Sequence, residues 1–518
     1  MKKKLRYLTL FIFLFCCASL ISVYSYGIFA KQAKGIPSYT LAIHPQQTVI
    51  DHLLDTEEKK HPNQSALILL QDNLEAFAAR ALSAQAAGRS LDLQYYIWHD
   101  DLTGRLLMKE LLDAAGRGVR IRLLLDDLTT HNRSSILAAL NTHPYISVRV
   151  FNPTRARNKS WHRGLEMILR FFSVNRRMHN KAWIVDGRIA IVGGRNIGDE
   201  YFDASPHMNF FDIDLMVLGS AVRETSEIFD SYWNSDAVIP LEALGEPKKN
   251  ALDPAQRIIH SLEFKDKALP YLQQIHATAS LGKMLRKYTP LIWTSDVHVY
   301  ADPPEKAFGS GETKWLIHTL TQYWDKATKN LKIISPYFVP TYSGMQWFNT
   351  FANRHLKIDI ITNSLAATDV LAVHGGYANY RKPLLLLGVN LFEVKPSFPQ
   401  PKMIIASSGA SLHTKAFIMD ETTAFIGSFN FDPRSSMLNT EMGIMFKNSI
   451  IIKLLLEEFE LRSSRAYSYR LKLENGNNLL WEDEQNGKPF IWKQEPQSKW
   501  WQRIYTMIIS WLPIETQL

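Results

Sequence analysis

Cysteine is nearly absent from this chain of 518 residues. Its two copies, Cys16 and Cys17, sit side by side in an apolar N-terminal stretch. The rest of the chain therefore has no thiol, which excludes intrachain disulfides and thiolate metal sites there. Low-complexity segments are also missing, so nothing in the composition calls for a disordered chain. Acidic residues are the minority charge, 50 against 59 basic, for a formal net charge of +9. An anionic partner follows, either a membrane surface or a nucleic acid. No strand track interleaves basic and aromatic residues as a single-stranded nucleic-acid groove would. That absence argues against nucleic acid.

What is present fits a globular body: 46% hydrophobic and 21% charged residues. The length exceeds one ordinary core, so two domains or an internal duplication are expected. The chain opens Met1-Lys-Lys-Lys-Leu-Arg6 and then carries no charge from Tyr7 to Ala30. A bilayer-spanning helix needs about 20 apolar residues, so residues 1–30 read as a signal anchor. A cleaved signal peptide, with export of the body, is the alternative. Lys2, Lys3, Lys4 and Arg6 should remain cytoplasmic, placing the catalytic domains on the other side. Residues 31–65 read as a linker, with order beginning near Ala66. A strand–helix–strand rhythm follows in 66–240 and again in 291–470, which indicates two tandem α/β domains. Residues 241–290 read as the connector. The tail, 471–518, is amphipathic and rich in tryptophan. Trp500, Trp501, Ile504, Tyr505, Ile508, Trp511 and Leu512 share one helical face. It suits either a membrane interface or docking on the body.

The deciding feature is a pattern written twice, His-x-Lys-x4-Asp-x6-Gly-x2-Asn. The first copy is His179, Lys181, Asp186, Gly193 and Asn196; the second is His413, Lys415, Asp420, Gly427 and Asn430. A lone His-x-Lys is most simply a solvated strand edge. Two copies agreeing at every fixed position ask for a shared chemical reason. On a strand, residues i and i+2 share a face, so each histidine and its lysine should reach one phosphate together. Asp186 and Asp420 end their strands, either as members of the catalytic set or as holders of the turn.

The chemistry of that set is phosphodiester transfer. One neutral imidazole attacks phosphorus and becomes a phosphohistidine. The other, protonated, gives its proton to the departing alcohol and then serves as base for the incoming hydroxyl. Lys181 and Lys415 carry the charge of the pentacoordinate state, and Asn196 and Asn430 donate hydrogen bonds to it. The scheme calls for no cofactor and no metal. A carboxylate behind each histidine would fix its tautomer, with Asp212 and Glu441 as the candidates.

The doubled motif resembles the phospholipase D superfamily. Leu91-Asp-Leu-Gln-Tyr-Tyr-Ile-Trp-His-Asp-Asp101, Arg176-Arg-Met-His-Asn-Lys181, Gly193-Gly-Arg-Asn-Ile-Gly-Asp-Glu-Tyr-Phe202 and Ser510-Trp-Leu-Pro513 are similar to the bacterial cardiolipin synthase C group. The resemblance implies two pseudo-symmetric α/β domains with one active site at their seam. It implies phosphatidyl transfer between phospholipids, with phosphatidylglycerol as acceptor and phosphatidylethanolamine as a donor. It also implies His179 as nucleophile and His413 as acid and base. A hydrolase releasing phosphatidic acid would use the same residues; a nuclease is the weaker alternative. Gly194 stands where the second copy has Ser428, which removes one candidate phosphate donor.

Overall fold

The computed structural model describes the chain except residues 1, 131–133, 158–159, 246–251, 253–256, 258–260, 262–265, 267, 270–271, 274–275, 278–279, 289, 398–408, 477 and 486. Half of the 241–290 stretch expected to connect the two halves thus falls outside the described residues.

Two sheets carry the body. In the first half the strands are β1 (Ser65–Leu70), β2 (Ser90–Tyr95), β3 (Arg120–Asp126), β4 (Ile146–Phe151), β5 (Ala182–Val185), β6 (Ile189–Gly193), β7 (Asn209–Phe211), β8 (Asp214–Gly219) and β9 (Val238–Pro240). After β10 (Trp293–Thr294), the second half has β11 (Val297–Ala301), β12 (Asn330–Ile334), β13 (Lys357–Asn363), β14 (Asn390–Val394), β15 (Ala410–Leu412), β16 (Ala416–Met419), β17 (Thr423–Gly427), β18 (Met442–Phe446), β19 (Ser468–Glu474), β20 (Asn478–Gln485) and β21 (Lys488–Trp492). The first sheet contains the order β1-β8-β6-β5-β2-β3-β4, and the second contains β11-β18-β17-β16-β12-β13-β14. Pairing senses agree throughout: β2, β3 and β4 are mutually parallel, as are β12, β13 and β14, and the other neighbours in both runs are antiparallel. The internal duplication is therefore a duplication of sheet topology.

Period-two alternation divides the apolar side chains between layers. Leu91, Leu93, Trp183 and Val185 face an outer core with helices Asn73–Ala86 and Leu102–Gly116. Ile184, Val192, Val217, Ile418, Ile426 and Ile444, from both sheets, meet in one shared inner core. Each such fully buried side chain contributes about 1.5–3 kcal/mol, so the halves are held together as one apolar unit. A third core backs the second sheet, around Trp324, Phe348, Phe417 and Phe425.

Two boundaries differ from the sequence reading. The expected linker 31–65 contains the helix Val49–Lys60, which buries Ile50 and Leu54. Thr48 Oγ1 accepts the Asp51 N–H at 3.1 Å, and Asp51 accepts the Thr48 N–H at 3.0 Å. This reciprocal capping box nucleates a helix that short apolar pairing alone does not reveal. The expected tail 471–518 begins as sheet: β19 pairs with β14, and β20 and β21 extend the edge before the helix Trp500–Trp511.

Candidate active site

Each motif strand begins where the chain leaves one sheet to touch the other half. His179, Asn180 and Lys181 form an extended lead-in ahead of β5, and His413, Thr414 and Lys415 do the same ahead of β16. The shared face expected of a regular strand is thus set by cross-half pairing. The His179 N–H donates to Thr440 O at 2.8 Å, and the Thr440 N–H returns to Arg177 O at 2.8 Å. In the other copy β15 pairs with β7, and the His413 N–H donates to Phe211 O at 2.7 Å.

This exchange decides the carboxylates. Glu441 directly follows Thr440, and its Oε2 meets His179 Nδ1 at 2.8 Å. Asp212 directly follows β7, and its Oδ2 meets His413 Nδ1 at 2.6 Å. Each histidine is oriented by a carboxylate of the opposite half. A proton on Nδ1 suits each carboxylate and leaves Nε2 as the nitrogen turned away from it. Lys181 Nζ donates to His179 O at 2.6 Å; Lys415 Nζ donates to His413 O at 2.5 Å and lies 2.9 and 3.1 Å from His413 Nδ1 and Nε2. All six side chains are buried.

Burial governs their protonation. It pulls the His179 imidazole down to about 4, against the raising effect of Glu441. Burial, and then the Lys415 and Lys181 charges, hold His413 well below the usual histidine range. Burial raises Glu441, but His179 and Lys181 outweigh it and hold the carboxyl below its ordinary value. Asp212 is raised by burial, with Lys415 opposing. Lys181 is lowered by burial, and Lys415 is brought to about 8 by the same cause. Burial thus works against the charged form of each of the six groups, and only at Glu441 do neighbouring charges outweigh it. A phosphodiester adds one negative charge, which favours a proton on one imidazole: an acid and a nucleophile from two like residues.

The sequence matches the family described as "Cardiolipin synthase, PLD-like domain" over residues 82–233 and 320–462, one motif copy in each. The chain belongs to this family. It is 40% identical over 464 residues to Cardiolipin synthase C of Escherichia coli (strain K12), covering 88% of this chain and 97% of that protein. It is 24% identical over 381 residues to Cardiolipin synthase A of Pseudomonas entomophila (strain L48), covering 73% and 64%. Among solved structures, the phosphatidylserine synthase of Haemophilus influenzae Rd KW20 shares the fold, with TM-score 0.54 at 13% identity over 80% of this chain and 92% of that one.

Three of the four aspartate and asparagine residues expected at the centre of this cardiolipin synthase-family site do other work. Asp186 and Asp420, read from sequence either as members of the catalytic set or as holders of the turn, bind backbone at the turn. Asp186 accepts the N–H groups of Gly88, Arg89 and Ser90 at 3.0, 2.7 and 2.9 Å. Asp420 accepts those of Thr328, Lys329 and Asn330 at 2.9, 2.7 and 3.1 Å. Both stand at the far end of their strands with positive φ, 53° and 51°, a conformation aspartate tolerates better than most residues. Asn196 is likewise occupied: its Oδ1 accepts the Ile97 N–H at 3.1 Å and its Nδ2 donates to Tyr201 Oη at 2.8 Å. Asn430 is buried with its Oδ1 unpartnered among the described residues.

Ser428, read from sequence as a candidate phosphate donor, has another role, and Ser435 escaped sequence reasoning. Ser428 Oγ donates to Glu441 Oε2 at 2.5 Å and Ser435 Oγ to Glu441 Oε1 at 2.8 Å. The Ser428 hydroxyl therefore holds the carboxylate and is spent on it, not on phosphate. In the first copy the corresponding space is filled by Asp212 itself, since a Cβ on Gly194 would collide with the Asp212 carboxylate. Serine with glutamate, and glycine with aspartate, are two solutions to one steric problem. Aromatic rings complete the walls: Tyr96 lies edge-on to His179 at 5.0 Å, and Tyr201 and Phe210 lie 5.2 and 5.0 Å from His413. Tyr96 and Tyr201 stand in the quoted segments, but only folding shows which ring meets which imidazole.

Proposed function

We propose that this protein transfers a phosphatidyl group from one phospholipid to the hydroxyl of another, forming cardiolipin, with phosphatidylglycerol as acceptor and phosphatidylethanolamine as a donor. The observation that carries the reading is the crossed pairing of His179 with Glu441 and His413 with Asp212 in one buried cluster with both lysines. His179 Nε2 attacks the donor phosphorus, and the bond to the departing alcohol breaks as His413 Nε2 gives that alcohol its proton. Lys181 and Lys415 hold the equatorial oxygens. The acceptor hydroxyl then loses its proton to His413 as its oxygen attacks phosphorus. The phosphorus–nitrogen bond breaks and His179 is restored.

Transfer is favoured over hydrolysis by the rings of Tyr96, Tyr201 and Phe210 around the imidazoles, because an apolar wall lowers the local concentration of competing water. Residues 66–240 and 291–470 act as the two domains, each giving one motif copy. The apolar helix Lys2–Gln32 is long enough to cross a membrane, and none of its residues is fully buried. We assign it as an anchor whose basic end faces the cytoplasm, with the domains on the other side.

The test is incubation of the full chain with mixed phosphatidylethanolamine and phosphatidylglycerol vesicles, followed by lipid analysis. Cardiolipin is the expected product. Phosphatidic acid without cardiolipin would make the protein a hydrolase, and untouched lipid with degraded DNA would make it a nuclease.

A further inference from the structure

Two amphipathic helices in this fold are inside out. The first, Ser160–Leu169, lies in the connection that follows β4. Its charged residues point inward: Arg163 Nε donates to Thr154 Oγ1 at 3.2 Å, Arg170 just beyond pairs with Glu166 at 2.5 Å, and Glu166 accepts the Arg155 and Ala156 N–H groups at 3.0 and 2.9 Å. Its apolar residues point out, with Trp161, Leu165 and Ile168 exposed, and Phe171 and Phe172 follow. Phe172 is 82% exposed. The second is the C-terminal helix. It packs on Leu371–Ala378 through Thr506 and Ile509, where Gly375 leaves no room for a Cβ. Its tryptophan-rich side faces away, and Trp511 is 73% exposed. A helix docked for stability alone would turn the other way. The sequence offered docking or a membrane interface; the structure shows docking through the polar side with the apolar side left out.

Three connections place these surfaces together. Ser160–Leu169 packs against the N-terminal helix: Ser19 donates to Leu169 O, and the Arg170 guanidinium lies 3.3 Å from the Tyr26 ring centroid. Asn175, after Phe172, donates to Gln517 Oε1 at 2.7 Å, just beyond the C-terminal helix. Arg434, in the helix after Asn430, joins both sides by donating to Asn175 O at 2.6 Å and Gln517 O at 3.2 Å. The rim is also close to the chemistry. Phe172 precedes His179 by seven residues, at most about 25 Å of chain.

We propose that residues 160–172 insert into the leaflet beside the N-terminal anchor, with the C-terminal helix lying on the same lipid surface, so that the active site is held at headgroup level. The occupant is a phospholipid bilayer. The inference rests on reading the N-terminal helix as a membrane span. At 1.5 Å per residue Tyr7 to Tyr26 covers about 30 Å, the thickness of the hydrocarbon core. Ser19 then lies about 10 Å inside the boundary at Tyr26. Interfacial amphipathic helices sink about 5–10 Å, so the packing seen between the two helices and the depth of an interfacial helix agree. Exposed apolar side chains at that level meet acyl chains, and the inward arginines keep their partners within the protein.

The test uses the full chain reconstituted in phosphatidylethanolamine and phosphatidylglycerol vesicles. Cys16 and Cys17 are the only native thiols, so Cys16→Ser and Cys17→Ser give a background for single spin labels at Phe172→Cys and Tyr145→Cys. Tyr145 is exposed at the opposite end of β4. The label at 172 should be accessible to oxygen and shielded from a water-soluble nickel chelate, and the label at 145 the reverse. A label at 172 that is open to the chelate, or shielded from both reagents as by a second protein, overturns the proposal. Ile168→Glu with Phe172→Glu provides the functional arm. It should lower kcat/KM on vesicle lipid at least tenfold while activity on a short-chain phospholipid below its micelle concentration stays within twofold. Equal loss on both substrates, or no loss on vesicles, also overturns it. Failure of the unmodified chain to transfer phosphatidyl groups would sink the proposed activity, and the labels would still report the insertion.

Discussion

At the residue scale, the geometry of Glu441 and Asp212 makes the sharpest predictions. A carboxylate on Nδ1 sets the tautomer; its amide counterpart keeps the shape and loses the charge. Glu441→Gln and Asp212→Asn should each lower kcat about 10²–10⁴-fold, as removing the orienting carboxylate does in other histidine-based sites. Steady-state rates within tenfold of the unmodified protein would reduce these groups to spacers. His179→Ala and His413→Ala should abolish turnover with the fold retained by circular dichroism, because neither imidazole can replace the other within one cycle. Lys415 gives a pH dependence. Its ammonium is brought to about 8 by burial, and deprotonation removes a charge the transition state uses. The kcat/KM profile, which reports the free enzyme, should therefore fall above pH 8. A profile flat to pH 10 would contradict that role.

At the scale of elements, the two hairpins β5–β6 and β16–β17 explain why the pattern carries an aspartate at all. Each aspartate closes a strand end by binding three backbone N–H groups at the entry to β2 or β12. Asp186→Ala strands donors around a buried position, a loss of about 1–3 kcal/mol for each unsatisfied group. Urea denaturation should show a midpoint shift, while kcat of the folded fraction stays within tenfold. Burial raises the Asp420 carboxyl, but its hydrogen bonds to Lys329, Thr328 and Asn330 hold it below the ordinary aspartate value of 3.8. Its contribution to stability is therefore present above about pH 4 and is lost as pH falls through the depressed value. Asp420→Asn should flatten stability in that acid range and leave it nearly unchanged in slope at neutral pH.

At the scale of the whole molecule, the halves share a core, and the site is built across them. The buried histidines burden that seam in acid. The His179 value falls from 6.5 unfolded to about 4 folded, so the unfolded chain takes up protons first. Stability should be complete above pH 6.5 and should drop by about 3 kcal/mol towards pH 4 from this group. Thermal unfolding across that range, compared with His179→Asn, reads the difference. A variant with the same slope would mean the imidazole is not the group titrating.

The sequence alone determined the duplication, the two histidine–lysine couples and the α/β rhythm, because repeated spacing and period-two alternation are local properties that survive without coordinates. It also marked Asp212 and Glu441, but not which histidine each would serve. It left Asp186 and Asp420 between chemistry and turn-holding, and it missed the capped helix at Val49–Lys60. Tertiary structure decided those points. Each carboxylate serves the histidine of the opposite half because β7 pairs with β15 and Met178 bridges Thr440 across the seam, contacts between residues more than two hundred positions apart. The outward turn of two apolar helix faces was equally invisible in sequence, since periodicity fixes that a face exists and only packing fixes the direction it points.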